Sequence, residues 1–173
     1  MVRQSIFRNK TKLVCILCMM AVVMLTACGS GDTGEAQAVC KYDLQTLGDR
    51  MVSVDTTLPA MKTVSSEGDN AELKFAVLSD LDYGLIDGYY YAYAEDGSAP
   101  EIAVICLKKS TDAAKLMESL KKHLSDRKGT MSEYAPDQVE LVEKAVVTNQ
   151  GAYVTMIVSE KNGLVQKEFK DAF

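Results

Sequence analysis

The sequence predicts an α+β domain, a mainly antiparallel sheet built from two hairpins and packed by helices, following a cleaved signal segment and a short flexible tether. Three observations carry this reading. Residues 89–94 and 101–108 are rich in Tyr, Ile and Val and flank Glu95-Asp96-Gly97-Ser98-Ala99-Pro100, turn chemistry suited to an antiparallel hairpin. Ala113, Leu116, Met117, Leu120 and Leu124 then recur at helical spacing, with Lys115, Glu118 and Lys122 away from them, as in a helix that lays one face on a core. Finally, Asn149-Gln150-Gly151 separates two further short apolar runs, a second hairpin. Strands joined this way and covered by helices form an α+β layer arrangement.

At the N-terminus, Arg3, Arg8, Lys10 and Lys12 precede an apolar run over residues 13–27. At about 15 residues it falls short of the roughly 20 needed to cross about 30 Å of hydrocarbon. It ends in Leu25-Thr26-Ala27-Cys28, followed by Gly29-Ser30-Gly31. The order of basic region, apolar region and small-residue site is that of a secretory signal, and the segment reads as a lipobox. Leu25, Thr26 and Ala27 fit the narrow site of a signal peptidase, while the Cys28 thiol is the nucleophile that accepts a diacylglyceryl group. Cleavage would make Cys28 the first residue, lipid-anchored on the extracytoplasmic face of the cell membrane. Two acyl chains hold firmly, since burial gains about 0.8 kcal/mol per methylene.

The organisation is thus a signal peptide over residues 1–27, a lipidated cysteine and tether over 28–40, and a single domain over 41–173. Residues 29–38 contain no large apolar side chain, so nothing there offsets the entropy of ordering. Such a tether has an r.m.s. reach of roughly 15–20 Å. The remainder is long enough for one core.

Within the domain, Leu44, Leu47, Met51, Val54, Leu58 and Met61 follow a 3-4-3-4-3 spacing and predict a first helix, weakened by Gly48 and ended or kinked by Pro59. Residues 71–85 fit two templates: Leu73, Phe75 and Val77 alternate as in a strand, whereas Leu73, Ala76, Val77 and Leu81 suit a helix. The first hairpin follows. Ser110 is a candidate N-cap for the amphipathic helix, with Gly129 expected to end it. Pro136 suits the first turn of a shorter helix through Val139 and Val142, leading into a strand at 145–147 and, past the second turn, one at 152–158. Leu164, Val165, Phe169 and Phe173 predict a closing helix after Asn162-Gly163.

Charge narrows the partners. The chain has 19 basic and 24 acidic residues; residues 1–27 hold four of the basic and none of the acidic, which leaves the rest at −9. The basic pairs Lys108-Lys109 and Lys121-Lys122 do not make the patch that phosphate binding requires, which argues against a nucleic-acid partner. It argues equally against electrostatic adhesion to anionic lipid, leaving the covalent lipid as the membrane link.

Cys15 and Cys18 have redox-motif spacing but lie in the signal segment. Cys106, inside the apolar run 102–107, reads as a small core residue. Its pairing with Cys40 is permitted in an oxidising compartment, although one pair is no framework. The sole histidine, His123, lies at the edge of the amphipathic helix. Triads, two-histidine zinc sites and histidine base pairs need more partners, and G-x-S-x-G, P-loop and H-E-x-x-H patterns are absent. No cofactor is implied. Asp80, Asp82 and Asp87 cluster near Tyr83-Gly84 and could offer oxygen ligands, yet the closing residues of a calcium loop are missing, and caps and turns account for them as well. Tyr89, Tyr91 and Tyr93 alternate on one strand face and form a candidate binding face if that face is open; if it is covered they are core and rim residues.

The order Leu81-Asp82-Tyr83-Gly84-Leu85, Glu101-Ile102-Ala103-Val104, a charged helix, Tyr134-Ala135-Pro136, Ala145-Val146-Val147 and Gly151-Ala152-Tyr153-Val154 resembles the domain of unknown function 4358 family, small lipoproteins of anaerobic Gram-positive bacteria. The resemblance covers most of residues 70–173 and is loose over 41–69. It implies the α+β fold, a lipid-anchored location and helix or turn rather than strand just before Tyr83, and it brings no assigned activity. Three function classes follow. The leading one is a non-catalytic binding or interaction module at the cell envelope, using the hairpin face or a helix–sheet groove. A carboxylate-dependent envelope hydrolase would need a pocket joining Asp80, Asp82 or Asp87 to Glu101. An accessory subunit of a membrane complex would show a large apolar patch.

Overall fold

The computed structural model describes residues 38–173. Residues 1–37, including Cys28 with Leu25, Thr26 and Ala27, the signal segment and most of the tether, lie outside the described residues. No helix among the described residues is long and apolar enough to cross a membrane.

The fold is α+β. Strands β1 (Met61–Ser65), β2 (Ile86–Ala94), β3 (Glu101–Leu107), β4 (Val146–Gln150) and β5 (Tyr153–Val158) form one sheet in the order β1-β2-β3-β5-β4, with every pairing antiparallel. Both predicted hairpins are present. In the first, Tyr91 lies opposite Ala103 and Tyr93 opposite Glu101, and Gly97 takes a φ of +80° in the connecting turn. In the second, Gly151 turns the chain at a φ of +56°. Both positions need the left-handed region, which glycine enters without steric cost.

Helices cover both faces. On one, α2 (Ala71–Leu78) and α3 (Ala113–Tyr134) bury Phe75, Leu78, Leu116 and Leu120 against Tyr89, Tyr91, Ile105 and Met156. On the other, α1 (Leu44–Ser53) and α5 (Asn162–Asp171) bury Leu47, Met51, Val165 and Phe169 against Ile102, Val104 and Ile157. The central strand β3 is apolar on both sides for this reason. A short helix, α4 (Val139–Glu143), follows a 3-10 turn opened by Pro136 and closes a third cluster of Met131, Val142 and Val158.

The structure corrects the sequence reading at three points and resolves one stretch it left open. The first helix stops at Ser53, and Met61, expected on its apolar stripe, opens β1 instead. The break is built at Asp55, a buried carboxylate that accepts from Thr57 N at 2.8 Å, from Thr57 Oγ1 at 2.5 Å and from Ser159 Oγ. This local network competes with helical bonding, and Pro59 prevents resumption. The ambiguous stretch 71–85 resolves into α2 and a 3-10 turn at Tyr83–Leu85. α3 does not end at Gly129 but runs five residues beyond it. The cost of about 1 kcal/mol for an interior glycine is offset by burial of Met131 one turn or less further on. Ser110 opens a 3-10 turn, and α3 itself begins at Ala113.

At the start of the domain, Lys41 N donates to Ala172 O at 2.9 Å and Lys41 Nζ to Asp171 O at 2.7 Å, so the chain enters against the end of α5.

Candidate functional site

Tyr89, Tyr91 and Tyr93 share the sheet face that α2 and α3 cover. Tyr89 is buried, its hydroxyl donates to Ala71 O at 2.8 Å, and its ring lies 5.4 Å from that of Phe75. Burial, with Tyr83 adding to it, pushes the Tyr89 pKa up to about 12. Tyr91 is buried too, while Tyr93 is half-buried with its ring 5.3 Å from that of Tyr91. The three therefore form no exposed aromatic row. The Tyr91–Tyr93 end is instead one wall of a cleft of 370 Å³ between α2, α3 and the tip of the first hairpin.

The cleft follows from helix lengths. α2 has eight residues against 22 in α3, about 12 Å against 33 Å at 1.5 Å per residue, so α2 leaves part of the sheet face uncovered. Val64 of β1 and Val77 of α2 supply apolar walls, and Lys74 stands on the α2 side. Val77 and its neighbour one turn back, Leu73, are 69% and 71% exposed. Such large apolar side chains on one outer stripe of a helix are the exception worth explaining.

The polar part of the cleft is built around Glu101. This residue opens β3 opposite Tyr93 and is only 2% exposed. His123 Nε2 lies 2.7 Å from Glu101 Oε2, and Arg127 Nε lies 2.6 Å from Oε1. Arg127 Nη2 donates to Ser98 O at 2.9 Å, tying the hairpin turn to α3. His123 and Arg127 are four apart, so they project from one face of α3, the same stripe that buries Leu116, Leu120 and Met131. A buried carboxylate is costly without compensation, and here the Arg127 guanidinium and the His123 ring, both on one helix, provide it. Tyr91 completes the cluster: burial, then the neighbouring Glu101 charge and a hydrogen bond to it, push its phenol far above the usual range. The Arg127 Nε–H lies beside Glu101 off the hydrogen-bond line. Among the described residues it is the one buried side-chain polar atom without a hydrogen-bond partner.

The acidic trio is distributed elsewhere. Asp80 Oδ1 accepts from Ser119 Oγ at 2.5 Å and Asp80 Oδ2 pairs with Lys122 at 2.7 Å. These bonds, Lys122 foremost, hold its carboxyl below the ordinary value. Asp82 Oδ1 accepts from Gly84 N at 2.8 Å as a turn cap, and Asp87 is exposed on β2. None of the three lines the cleft with Glu101. Among the described residues no group of three His, Cys, Asp or Glu side chains is placed to hold a metal ion. Cys40 and Cys106 are both free thiols and half-buried.

Chemically, the cleft offers an apolar body and one compensated polar cluster. Its lining contains no serine, threonine or cysteine, so the Glu101–His123 pair has no such nucleophile beside it to activate. The sequence reading reached Glu101, His123 and the tyrosines separately but did not join them; it named Val77 only as part of a strand or helix pattern, and it did not single out Arg127 or Lys74. The available signal was a histidine and an arginine continuing the apolar stripe of α3, with a glutamate opening an apolar strand: three polar groups at positions the pattern buries.

A family model described as Domain of unknown function (DUF4358) matches residues 60–159. The match starts eleven residues before α2 and stops short of α5, and it includes every cleft residue named above. No curated protein matches the chain, and neither does any solved structure.

Proposed function

The chain belongs to the DUF4358 family of domains of unknown function, and from that premise we propose that it is a non-catalytic binding module, lipid-anchored through Cys28 on the extracytoplasmic face of the cell membrane, with the cleft between α2, α3 and the first hairpin as its ligand site. The observation that carries the reading is the cleft itself. A concave, mainly apolar site with a few convergent polar groups is the usual form of a small-molecule site, and here those groups are Glu101, His123 and Arg127. The anchor rests on Leu25-Thr26-Ala27-Cys28 after a short apolar run.

Thermal unfolding of the protein against wall fragments, glycans, peptides and small organic acids tests the site. Ligand at about 100 times its dissociation constant adds roughly 2.7 kcal/mol, a midpoint shift of several degrees. The expected result is a shift with one class that Val77→Asp abolishes; a shift that Val77→Asp leaves intact places the site elsewhere. For the anchor, membrane fractionation of Cys28→Ala is expected to move the protein out of the lipid-modified pool, and unchanged acylation refutes it.

A further inference from the structure

Resting on that reading of the cleft, we infer that its ligand is a small organic monoanion, a carboxylate on an apolar body, with the charge held at Lys74 and the body on Val64, Val77 and Tyr93.

The argument is the pairing of charges around the cleft. Glu101 is compensated twice, by His123 and Arg127. Glu95, at the rim, has Lys62 at 3.4 Å. Lys74 remains: it is half-buried, and among the described residues no carboxylate pairs with it. Its neighbours on α2 at three and four residues' distance are Ala71, Asn70, Val77 and Leu78, so the helix supplies no anion at the spacings where side chains meet. Among the described residues the ammonium therefore has no paired carboxylate, and Lys74 lines the cleft together with Val64 and Val77.

Each alternative occupant meets an obstacle. A cationic ligand would face Lys74 and Arg127. A neutral apolar one would strip water from Lys74 and return nothing, a cost that burial of a charge always carries. A polyanion would set its further charges against Glu95 and Glu101, in a chain that carries −9 beyond residue 27 and repels polyanions at long range. One anionic group fits. The volume of 370 Å³ lies toward the lower end of the roughly 300–1,000 Å³ of small-molecule sites, which sets the ligand as small.

The test uses three probes with one body and different ends: 4-phenylbutanoate, 4-phenylbutan-1-ol and 4-phenylbutylamine. Each is titrated calorimetrically into the full protein in lipid nanodiscs, with empty nanodiscs as blank. The carboxylate is expected to bind at least about tenfold more tightly than the alcohol, the usual value of a charge-assisted contact, and the amine not to bind. Lys74→Gln is expected to remove that advantage while leaving the alcohol unchanged, and Lys74→Arg to restore it. Equal binding of acid and alcohol, both lost in Val77→Asp, overturns the monoanion inference and leaves the cleft standing. Binding of the acid that survives Val77→Asp overturns the cleft as well. Failure of all three probes overturns the inference, and the unfolding panel with Val77→Asp then decides the cleft separately.

Discussion

Gly48→Ala is expected to destabilise the protein, although helix propensity alone predicts the opposite. Gly48 lies on the buried face of α1, against the ring of Tyr90 on the sheet. A Cβ at this position would stand 2.2 Å from Tyr90 Cδ1 and 2.3 Å from Cγ, against the 3.5 Å or so at which carbon contacts become favourable. The ring has little room to retreat: Tyr90 is fully buried and its hydroxyl donates to Asp49 Oδ1 at 3.0 Å. Overpacking of a core costs about 1–3 kcal/mol, and displacing the ring also loses the Asp49 bond, worth about 1 kcal/mol. Against this stands a gain of about 1 kcal/mol from replacing a helical glycine. Taking the middle of the overpacking range, about 2 kcal/mol, the lost bond and the gained propensity cancel and the net loss is about 2 kcal/mol. For a domain of this size the melting midpoint then falls by roughly 8 °C, read by circular dichroism and checked by urea unfolding. In a Tyr90→Leu background the same substitution is expected to become neutral or stabilising. A rise in midpoint in the wild-type background, or strict additivity of the two changes, refutes the close-contact account.

Further perturbations test the other buried polar groups. Glu101→Leu leaves Arg127 and His123 without their anion and is expected to cost about 3 kcal/mol in urea unfolding, with Glu101→Gln milder; a neutral Glu101→Leu would show the cluster to be dispensable for folding. At Asp55, burial raises the carboxyl pKa, but the bonds from Ser159 and Thr57 outweigh it and leave the folded value below the ordinary 3.8. A depressed folded pKa contributes stability that is present above the unfolded value and disappears as pH falls through the folded one. The stability gap between wild type and Asp55→Asn is therefore expected to be constant from pH 7 to about 5 and to close below about pH 4; a gap unchanged at pH 2 refutes it. Burial also pushes the Cys106 thiol up, so in a Cys40→Ser background iodoacetamide at pH 8 is expected to label Cys106 more slowly than free cysteine, the difference vanishing in urea. Labelling at the free rate in the native state would contradict that placement.

Much of the fold can be read from local chemistry. Gly97 and Gly151 mark turns because only those positions take a positive φ in their hairpins, and the stripe from Ala113 to Leu124 announces α3. Met61 misleads because its spacing from Val54 and Leu58 continues a helical period by coincidence, while the break at Asp55 depends on Ser159, 104 residues away. Gly129 misleads for a similar reason: what carries α3 past it is the contact of Met131 with Val142 and Val158, invisible along the chain. Gly48 reads as a flaw in a helix, and the Tyr90 ring gives the physical reason for it. The alternation of Tyr89, Tyr91 and Tyr93 says which residues share a face but not whether that face is covered; the unbroken apolar run of β3, buried on both sides, was the nearer clue. The cleft was least legible, because it depends on α2 being shorter than α3 and on three polar side chains from two elements meeting at one point.

The hydrogen bonds of Lys41 to the end of α5 have a mechanical consequence. They place the beginning of the domain on the α1–α5 side of the sheet, whereas the cleft opens on the α2–α3 side. A pull arriving along the chain at residue 41 meets the last turn of α5 before it meets any strand. The load enters the layer opposite the cleft, and the sheet that contains Glu101 separates the point of traction from the cleft's opening.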